Sequence, residues 1–535
     1  MEEFDVIVVG AGSAGCVLAA RLSADGGRRV LLVEAGGDDR RLWIRIPIGY
    51  GKTFFDPSVN WGLRTAPDAA VNGRAAYWPR GKVLGGSSSI NAMVYCRGIP
   101  GDYDDWRDAG NPGWGWDTVE PLFASFERRV HADGSVHGSG PLWVVDRETE
   151  YHPIKRYFLA AAREIGLPLT HDMNGPDPEG VGAYPITTRR GLRCSSADAF
   201  LRPAMHRPNL EVRARALVTR ILFEGRRAVG IEYRAEGAVR RVRAADQVVV
   251  CAGAINAPQL LQLSGVGPGR LLRDLGIDIV HANDAVGAHL QDHLGISYLY
   301  RAAEPTLNQA LGTWPGRIKA GLRYLLARTG PFSLSVNQMG GMVRTRPALR
   351  RPDAQLYFSP LSYSTEYDGR RRLLRPDPYP GFLLAFNACR PHSVGRIDIA
   401  SPDPEHPPRI VTNSLSDPRD ITEVIAGARL LGRLQHTRAL RTLIAAGPAI
   451  DLARASDDDI VADFRERCAT VFHPCGTCRM APADAGGVVD AKLRVHGIEG
   501  LRVADASVFP NITSANTNAP TIMLAHRAAQ LIAAD

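Results

Sequence analysis

Three glycines within six residues, Gly10, Gly12 and Gly15, are the first residues of this chain whose type and spacing could do chemistry. They read G-x-G-x-x-G, directly after a valine-rich run and directly before a helical pattern. In that setting the first glycine permits a tight turn, the second lets backbone amides approach a pyrophosphate, and the third lets the helix pack close to the strand. The amides of the first helical turn, around Ser13 and Ala14, then face the negative charge. Glu34 closes the next apolar run, with Ala35 after it, and is placed to accept hydrogen bonds from the ribose hydroxyls of a dinucleotide. The spacing suits NAD and FAD equally.

A second chemistry could come from imidazole, whose ordinary pKa of about 6.5 suits proton acceptance at working pH. One of the 14 histidines, His473, opens the run HPCGTCRM at 473–480. Cys475 and Cys478 in that run form a C-x-x-C, the spacing of redox thiols or of half a zinc site. No thioredoxin-like pattern surrounds the pair, and no second ligand pair stands at metal spacing. The two cysteines are read as structural and close to the pocket, and no metal is expected.

These groups need elements to hold them. Phe4–Val9 reads as a buried parallel strand, followed by a helix carrying Ala14, Val17, Leu18 and Leu22 at three-and-four spacing, then by a strand over Arg29–Val33. The first 34 residues thus form one βαβ unit. Residues 36–115 are rich in Gly, Pro and aromatics and read as an extended stretch crossing a cofactor. A helix is predicted over 155–166, then five strands: LEVRA, VTRILFEG, AVGIEYR, VRRVRA and QVVVCAG. The last of these rejoins the central sheet. Ala257–Leu263 continues as a helix, which Ser264-Gly-Val-Gly-Pro268 breaks. Residues 296–465, rich in Pro and Arg, read as a second domain. Ile522, Ala525, Ala529 and Ile532 give a closing helix one apolar face.

Composition sets the class. The chain has 535 residues, 45% hydrophobic and 22% charged, which suits a multidomain globular protein. The formal charge is +8, with the densest basic cluster at Arg370, Arg371, Arg372 and Arg375. No long basic run interleaves with aromatics, which argues against nucleic-acid binding. Weak attraction to an anionic membrane surface is compatible with the charge. Eight dispersed cysteines fit reduced thiols better than a disulfide framework. No apolar stretch spans a bilayer, and the acidic start Met1-Glu2-Glu3 is unlike a signal peptide. The expectation is a cytoplasmic protein, at most peripheral to the inner membrane. No residue pattern fixes an oligomeric state.

Distant motifs decide the cofactor. Residues 79–98 (PRGKVLGGSSSINAMVYCRG), 251–268 (CAGAINAPQLLQLSGVGP), 473–480 (HPCGTCRM) and 501–526 (LRVADASVFPNITSANTNAPTIMLAH) join the N-terminal unit in one order. Together they closely resemble the glucose–methanol–choline (GMC) oxidoreductases, most of all the bacterial alcohol and choline dehydrogenase branch. The resemblance covers nearly the whole chain and is loosest over 300–460. It implies an α/β fold in which a Rossmann-like FAD-binding domain (1–155, 195–298 and 466–535) interleaves with an α+β substrate-binding domain (156–194 and 299–465). In the second domain an antiparallel sheet is flanked by helices.

The resemblance further implies that FAD is held deeply and that the flavin itself takes a hydride. By that resemblance Val83, Gly86, Asn91 and Val94 line the flavin, with Ser87, Ala92 and Met93 beside them, and Val218 lies near the adenine. Asp505 and Ala506 lie near the pyrophosphate and ribityl chain. Asn518, Ala519, Pro520 and Thr521 sit close to the flavin ring, and Ala252, Gly253 and Phe472 complete the contacts. Independently of family, the Gly85–Ser88 stretch offers amides and hydroxyls to a polar ring edge, and Pro520 suits a first helical turn. That final helix would aim its positive end at the flavin and stabilise its anionic reduced form.

His473 matches the family's catalytic histidine and is assigned as general base or alkoxide partner. Asn518 matches a second position across the substrate oxygen, as an orienting donor, with Asn516 a near rival. Asp292, His293 and His526 are read as structural hydrogen-bonders. Some members attach FAD through a histidine after the Gly-Gly-x-Ser-Ser run. Ile90 and Asn91 stand there, which implies non-covalent FAD. His289 replaces a frequent asparagine, and Ala481 a usual glycine.

The implied activity is oxidation of a primary alcohol to the aldehyde by hydride transfer to flavin N5. Oxygen and a quinone or dye stand as alternative acceptors. The competing readings are a choline or amino-alcohol dehydrogenase, which needs an acid and an aromatic cage, a flavin-dependent lyase on the same scaffold, and a flavoprotein kept for binding alone.

Overall fold

The computed structural model describes residues 1–367 and 372–535; Arg370 and Arg371 of the basic cluster lie outside the described residues. Two large sheets, of seven and six strands, dominate the described residues, with a cavity between them. The first sheet grows from the N-terminal unit: β1 (Glu2–Val9), α1 (Ser13–Leu22) and β2 (Val30–Val33). Val6–Val9 and Val30–Val33 are buried throughout, as a parallel sheet covered on both faces requires. The sheet is extended by β3 (Leu210–Arg213), β4 (Ala216–Glu224), β5 (Arg227–Ala235) and β6 (Ala238–Val250), in the order β3-β2-β1-β6-β5-β4. The strand Leu501–Val503 pairs in parallel with the end of β6. Helix α2 (Gly253–Leu263) leaves directly from β6.

One expectation needs correction here. VRRVRA and QVVVCAG are not two strands but one, β6, of 13 residues. Its first half is mostly exposed and pairs antiparallel with β5, while its last four residues are buried against β1 and Leu501–Val503. A register shift opposite Phe4 and Val6 marks the change of environment.

The second sheet comprises β7 (Leu294–Ala302), β8 (Met339–Val343), β9 (Ala354–Ser359) and β12 (Gly381–Ala388), in the order β8-β9-β12-β7, all antiparallel. Short strands Ile444–Ala446 and Ala469–Thr470 also pair with β7. β7 crosses the expected domain boundary at residue 298 as one continuous strand. Between β9 and β12 a separate hairpin projects, β10 (Tyr363–Tyr367) with β11 (Arg372–Pro376). Helix α3 (Trp314–Ala327) precedes β8, and α4 (Pro418–Gln435) lies on the sheet with the helices Lys155–Glu164 and Asp457–Arg467. Their apolar faces, including Phe158, Leu431 and Phe464, share one core with Ile296 of β7, Phe358 of β9, and Phe382, Leu384 and Phe386 of β12.

The last helix, α5 (Asn518–Ala534), packs against α1 in the first core. It is buried well beyond the single face read from the sequence, with Met523, Leu524, His526 and Ala528 enclosed as well. Among the described residues no helix is long and apolar enough to cross a membrane.

Candidate active site

The cavity between the sheets has a volume of about 1050 Å³, at the upper edge of the ~300–1,000 Å³ usual for small-molecule sites. One end is floored by the glycine turn. A side-chain carbon at Gly10 would lie 2.6 Å from the Cys251 carbonyl oxygen, and one at Gly15 would lie 1.8 Å from that of Gly10. These two glycines serve close packing. At Gly12 the nearest atom would be 3.9 Å away, so this residue presents open backbone to the cavity. Gly86 approaches from the other side, where an added carbon would meet the Gly12 Cα at 2.7 Å. Two side-chain-free turns thus form a cradle of the kind a pyrophosphate needs.

Glu34 lines this end with Ala35 and Val218. Its carboxylate accepts from Ala11 N (2.9 Å) and Gly36 N (2.7 Å), which fixes its orientation and leaves acceptor capacity for ribose hydroxyls. Burial pushes its pKa up to about 7 against the pull of those two amides. Asp505 ties two helical starts together, accepting from Gly253 N and Ser507 N, both at 2.7 Å. Its buried carboxyl is also shifted upward by desolvation. The cavity is therefore suited to a dinucleotide: a backbone cradle, an acid at the ribose distance and the first turn of α5 entering the wall at Asn518 and Thr521.

At the other end His473 is held from several sides. Its backbone N donates to Asp292 Oδ1 at 2.7 Å, and the Thr470 hydroxyl donates to Asp292 Oδ2. The preceding residue, Phe472, has φ +69 and gives its carbonyl to Arg80 at 2.7 Å. Met93, also on the wall, has φ +65. Non-glycine residues held in this region concentrate at functional sites.

The side chain of His473 belongs to a chain of hydrogen bonds whose direction can be worked out. His293 Nε2 lies 2.9 Å from the Cys389 carbonyl oxygen, which can only accept, so Nε2 carries the hydrogen. His293 is fully buried and its pKa falls to about 4 through desolvation, so it is neutral and its Nδ1 is a lone pair. His473 Nδ1, 2.9 Å away, must then be the donor. That leaves the lone pair of His473 on Nε2, facing Asn516 Nδ2–H at 2.9 Å. The Asn516 amide is oriented in turn by Gln355 Nε2, which donates to Asn516 Oδ1 at 3.3 Å. Burial, then His293 and Arg80, hold the His473 pKa well below its ordinary value. The result is a neutral imidazole with one basic nitrogen beside an amide donor, both on the cavity wall.

The asparagine at His473 is thus Asn516, not Asn518. Asn518 is the first residue of α5, and its Oδ1 accepts from Ser13 Oγ at 2.7 Å, at the glycine-turn end. Of the other predicted residues, Gly10, Gly12, Ser13, Ala14, Glu34, Ala35, Gly86, Ser87 and Asn91–Val94 are on the wall. So are Val218, Ala252, Gly253, Phe472, Asp505, Ala506 and Thr521. Gly15, Val83, Ala519 and Pro520 are not. Gly15 is closed off by Gly10, Val83 packs with Ile44, Val59 and Ile90, and Ala519 and Pro520 are buried within α5. Cys475 and Cys478 lie in the first core rather than at the pocket, as protonated thiols whose pKa burial raises.

His293 and Asp292, read from sequence as structural, both touch His473. The adjacent pair Asp292-His293 is the signal that could have found them. His526 is remote, stacked on Phe126 and bonded to Arg21. His289 sits at φ +61, a left-handed conformation that histidine and asparagine tolerate better than most residues. Beyond His473 the wall carries a set of apolar and aromatic side chains, Val94, Tyr357, Val471, Phe54 and Val336, together with the cations Lys52, Arg317 and Arg375. The Tyr357 hydroxyl is buried with no partner among the described residues. Of the described residues lining the cavity, only Glu34 and Asp505 are acidic, and both belong to the glycine-turn end.

A family model described as GMC oxidoreductase matches residues 4–295, and its C-terminal counterpart matches residues 391–525. The chain is 41% identical to the alcohol dehydrogenase [acceptor] of Pseudomonas putida, over 99% of this chain and 95% of that protein. It is 39% identical to the mitochondrial choline dehydrogenase of Mus musculus, over 99% of this chain and 89% of that protein. The crystal structure of pyridoxine 4-oxidase from Mesorbium loti superposes with a TM-score of 0.88 at 30% identity, covering 99% of both chains.

Proposed function

This chain belongs to the GMC oxidoreductase family, and on that premise we propose that it uses FAD to oxidise the CH–OH group of apolar primary alcohols to aldehydes, passing electrons to an external acceptor. The single observation that carries the reading is the directed hydrogen-bond chain that leaves the His473 Nε2 lone pair on the cavity wall. Gly12, Glu34, Gly86 and the start of α5 would hold FAD, which would supply the sink for the carbon-bound hydrogen and its electron pair.

The protein's own residues manage the proton. The alcohol oxygen enters between His473 and Asn516, replacing their direct bond. Its hydroxyl donates to His473 Nε2 and it accepts from Asn516 Nδ2–H. As the proton moves to Nε2, the amide stabilises the developing alkoxide. The imidazolium so formed keeps its Nδ1–H bond to His293, and the carbonyl of Cys389 anchors His293 behind it. The apolar wall of Val94, Tyr357 and Val471 excludes water and selects an apolar substituent on the carbinol carbon.

The same wall speaks against choline. A quaternary ammonium gains most where aromatic faces and a carboxylate converge. The acids of this cavity lie at its cofactor end, and the charged residues elsewhere on its wall, Arg80, Arg317 and Arg375 among them, are cations. Anaerobic mixing of the yellow enzyme with an alcohol panel tests the reading. Bleaching of the flavin band by apolar primary alcohols, and little by choline, is the expected result. Preferential bleaching by choline would replace the proposed substrate class, and no bleaching by any alcohol would favour a lyase.

FAD is held without a covalent bond in this reading, since Ile90 and Asn91 occupy the wall after the Gly-Ser stretch and neither can form the histidyl link. Acid precipitation is therefore expected to leave all the yellow colour in the supernatant. Flavin retained in the washed pellet would contradict this.

A further inference from the structure

Helix α3 presents an unpartnered apolar face beside the cavity mouth. Only Ala320 and Tyr324 of this helix are buried. On the opposite side Trp314, Ile318, Leu322, Leu325 and Leu326 are between 55% and 85% exposed. At about 3.6 residues per turn these five make one continuous stripe. Lys319 and Arg323 flank it on one side and Arg317 on the other, and the helix contains no aspartate or glutamate. The hydrogen bonds of Arg317 and Arg323 go to the Leu311 carbonyl and the Thr329 hydroxyl, not to carboxylates.

The patch does not end with the helix. Leu42 and Trp43, on the short helix Leu42–Arg45, are 65% and 42% exposed. Tyr367, at the end of β10, is also exposed. The three elements meet at the cavity, which Trp43, Trp314, Arg317, Thr365 and Leu373 line. The apolar patch and the route to His473 are therefore one feature.

We propose that this face docks the enzyme on an anionic lipid bilayer, with α3 lying in the headgroup plane and the cavity mouth opening onto the membrane. An apolar stripe bordered on both sides by cations is what an interfacial helix needs: side chains that enter the acyl boundary and charges that meet anionic headgroups. A second copy of the chain suits the face less well, because a twofold contact would bring the three α3 cations against their own kind with no acid in the helix to offset them.

Flotation of the full-length, FAD-loaded enzyme with lipid vesicles tests it. At low salt most of the protein should float with vesicles of equal parts phosphatidylglycerol and phosphatidylcholine, and roughly tenfold less with phosphatidylcholine alone. Leu325→Glu combined with Leu326→Glu should lower binding to the anionic vesicles at least about tenfold, with bound flavin and melting temperature unchanged. Lys319→Glu with Arg323→Glu should abolish the preference for phosphatidylglycerol. Wild-type protein that stays at the bottom of the gradient, or a leucine double variant that floats as wild type does, overturns the proposal. So does a dimer in sedimentation velocity that the leucine variant dissociates while neither protein binds vesicles, which would make the face a contact between copies.

Discussion

Replacing His473 with alanine is expected to slow bleaching of the flavin by a primary alcohol about 10²–10⁴-fold while FAD stays bound. The range is that of a general base removed from a site that keeps its other parts. Asn516 remains as an oxyanion donor, oriented by Gln355, and the glycine cradle lies at the far end of the cavity. The imidazole is positioned by bonds that do not involve the cofactor, through Asp292 to its backbone and His293 to its ring. Cofactor content and catalysis should therefore separate. Anaerobic stopped-flow gives the rate constant, and the ratio of flavin to protein absorbance gives the occupancy. The pH profile adds a second readout. Because burial holds the His473 pKa well below the ordinary value of 6.5, the base is already unprotonated at neutral pH. The wild-type rate should stay level as pH falls through about 6.5 and drop only in more acid solution. The alanine variant should lose that acid limb. Reduction at normal speed, or an apoprotein, would remove His473 from the role assigned to it.

The parts of this site that are legible in the sequence are those imposed on the backbone. Gly10, Gly12 and Gly15 report a turn, an open approach and a close contact, and each of these appears in the structure as a distance. Glu34 is readable because a strand end fixes where its side chain must go. Parallel strands buried on both faces, such as Val30–Val33, announce themselves as unbroken apolar runs. β6 does not, because its polar first half belongs to a solvent-facing hairpin and its apolar second half to the core, so one strand carries two patterns.

Asn516 and Asn518 show a different limit. They stand two residues apart, and which one meets His473 depends on where helix α5 begins. Thr517 is the residue flanking the helix and Asn518 its first member, so Asn518 turns toward Ser13 while Asn516, on the approach, faces the histidine. Two residues of error in placing a helix start is ordinary, and here it exchanges one end of the cavity for the other. His293 is hidden for a related reason. Its partner lies 180 residues away in sequence, and the pairing of β7 with Ala469–Thr470, continued by the bridge between Gln291 and Cys475, brings the two imidazoles together.

His293 carries the second large expected effect. The neutral tautomer of His473 is set by a chain that ends on a carbonyl, so removing the middle link should free His473 to place its hydrogen on Nε2, where a base must have a lone pair. His293→Phe keeps a ring of similar shape in a fully buried position but offers His473 Nδ1–H no acceptor, and it leaves the Cys389 carbonyl without its donor. A buried donor without an acceptor costs about 1–3 kcal/mol, which erodes the preference for the productive tautomer by roughly five- to 150-fold. Flavin reduction should fall by about that factor, with a stability loss of similar size. His293→Gln separates tautomer control from packing. A glutamine can accept from His473 through Oε1 and donate to Cys389 through Nε2, so it should recover most of the rate. Stopped-flow reduction and thermal melting of the three proteins decide the matter. If Phe and Gln variants lose stability and rate in equal proportion, His293 merely fills space, and the directed chain that gives His473 its basic nitrogen has no hold on the reaction.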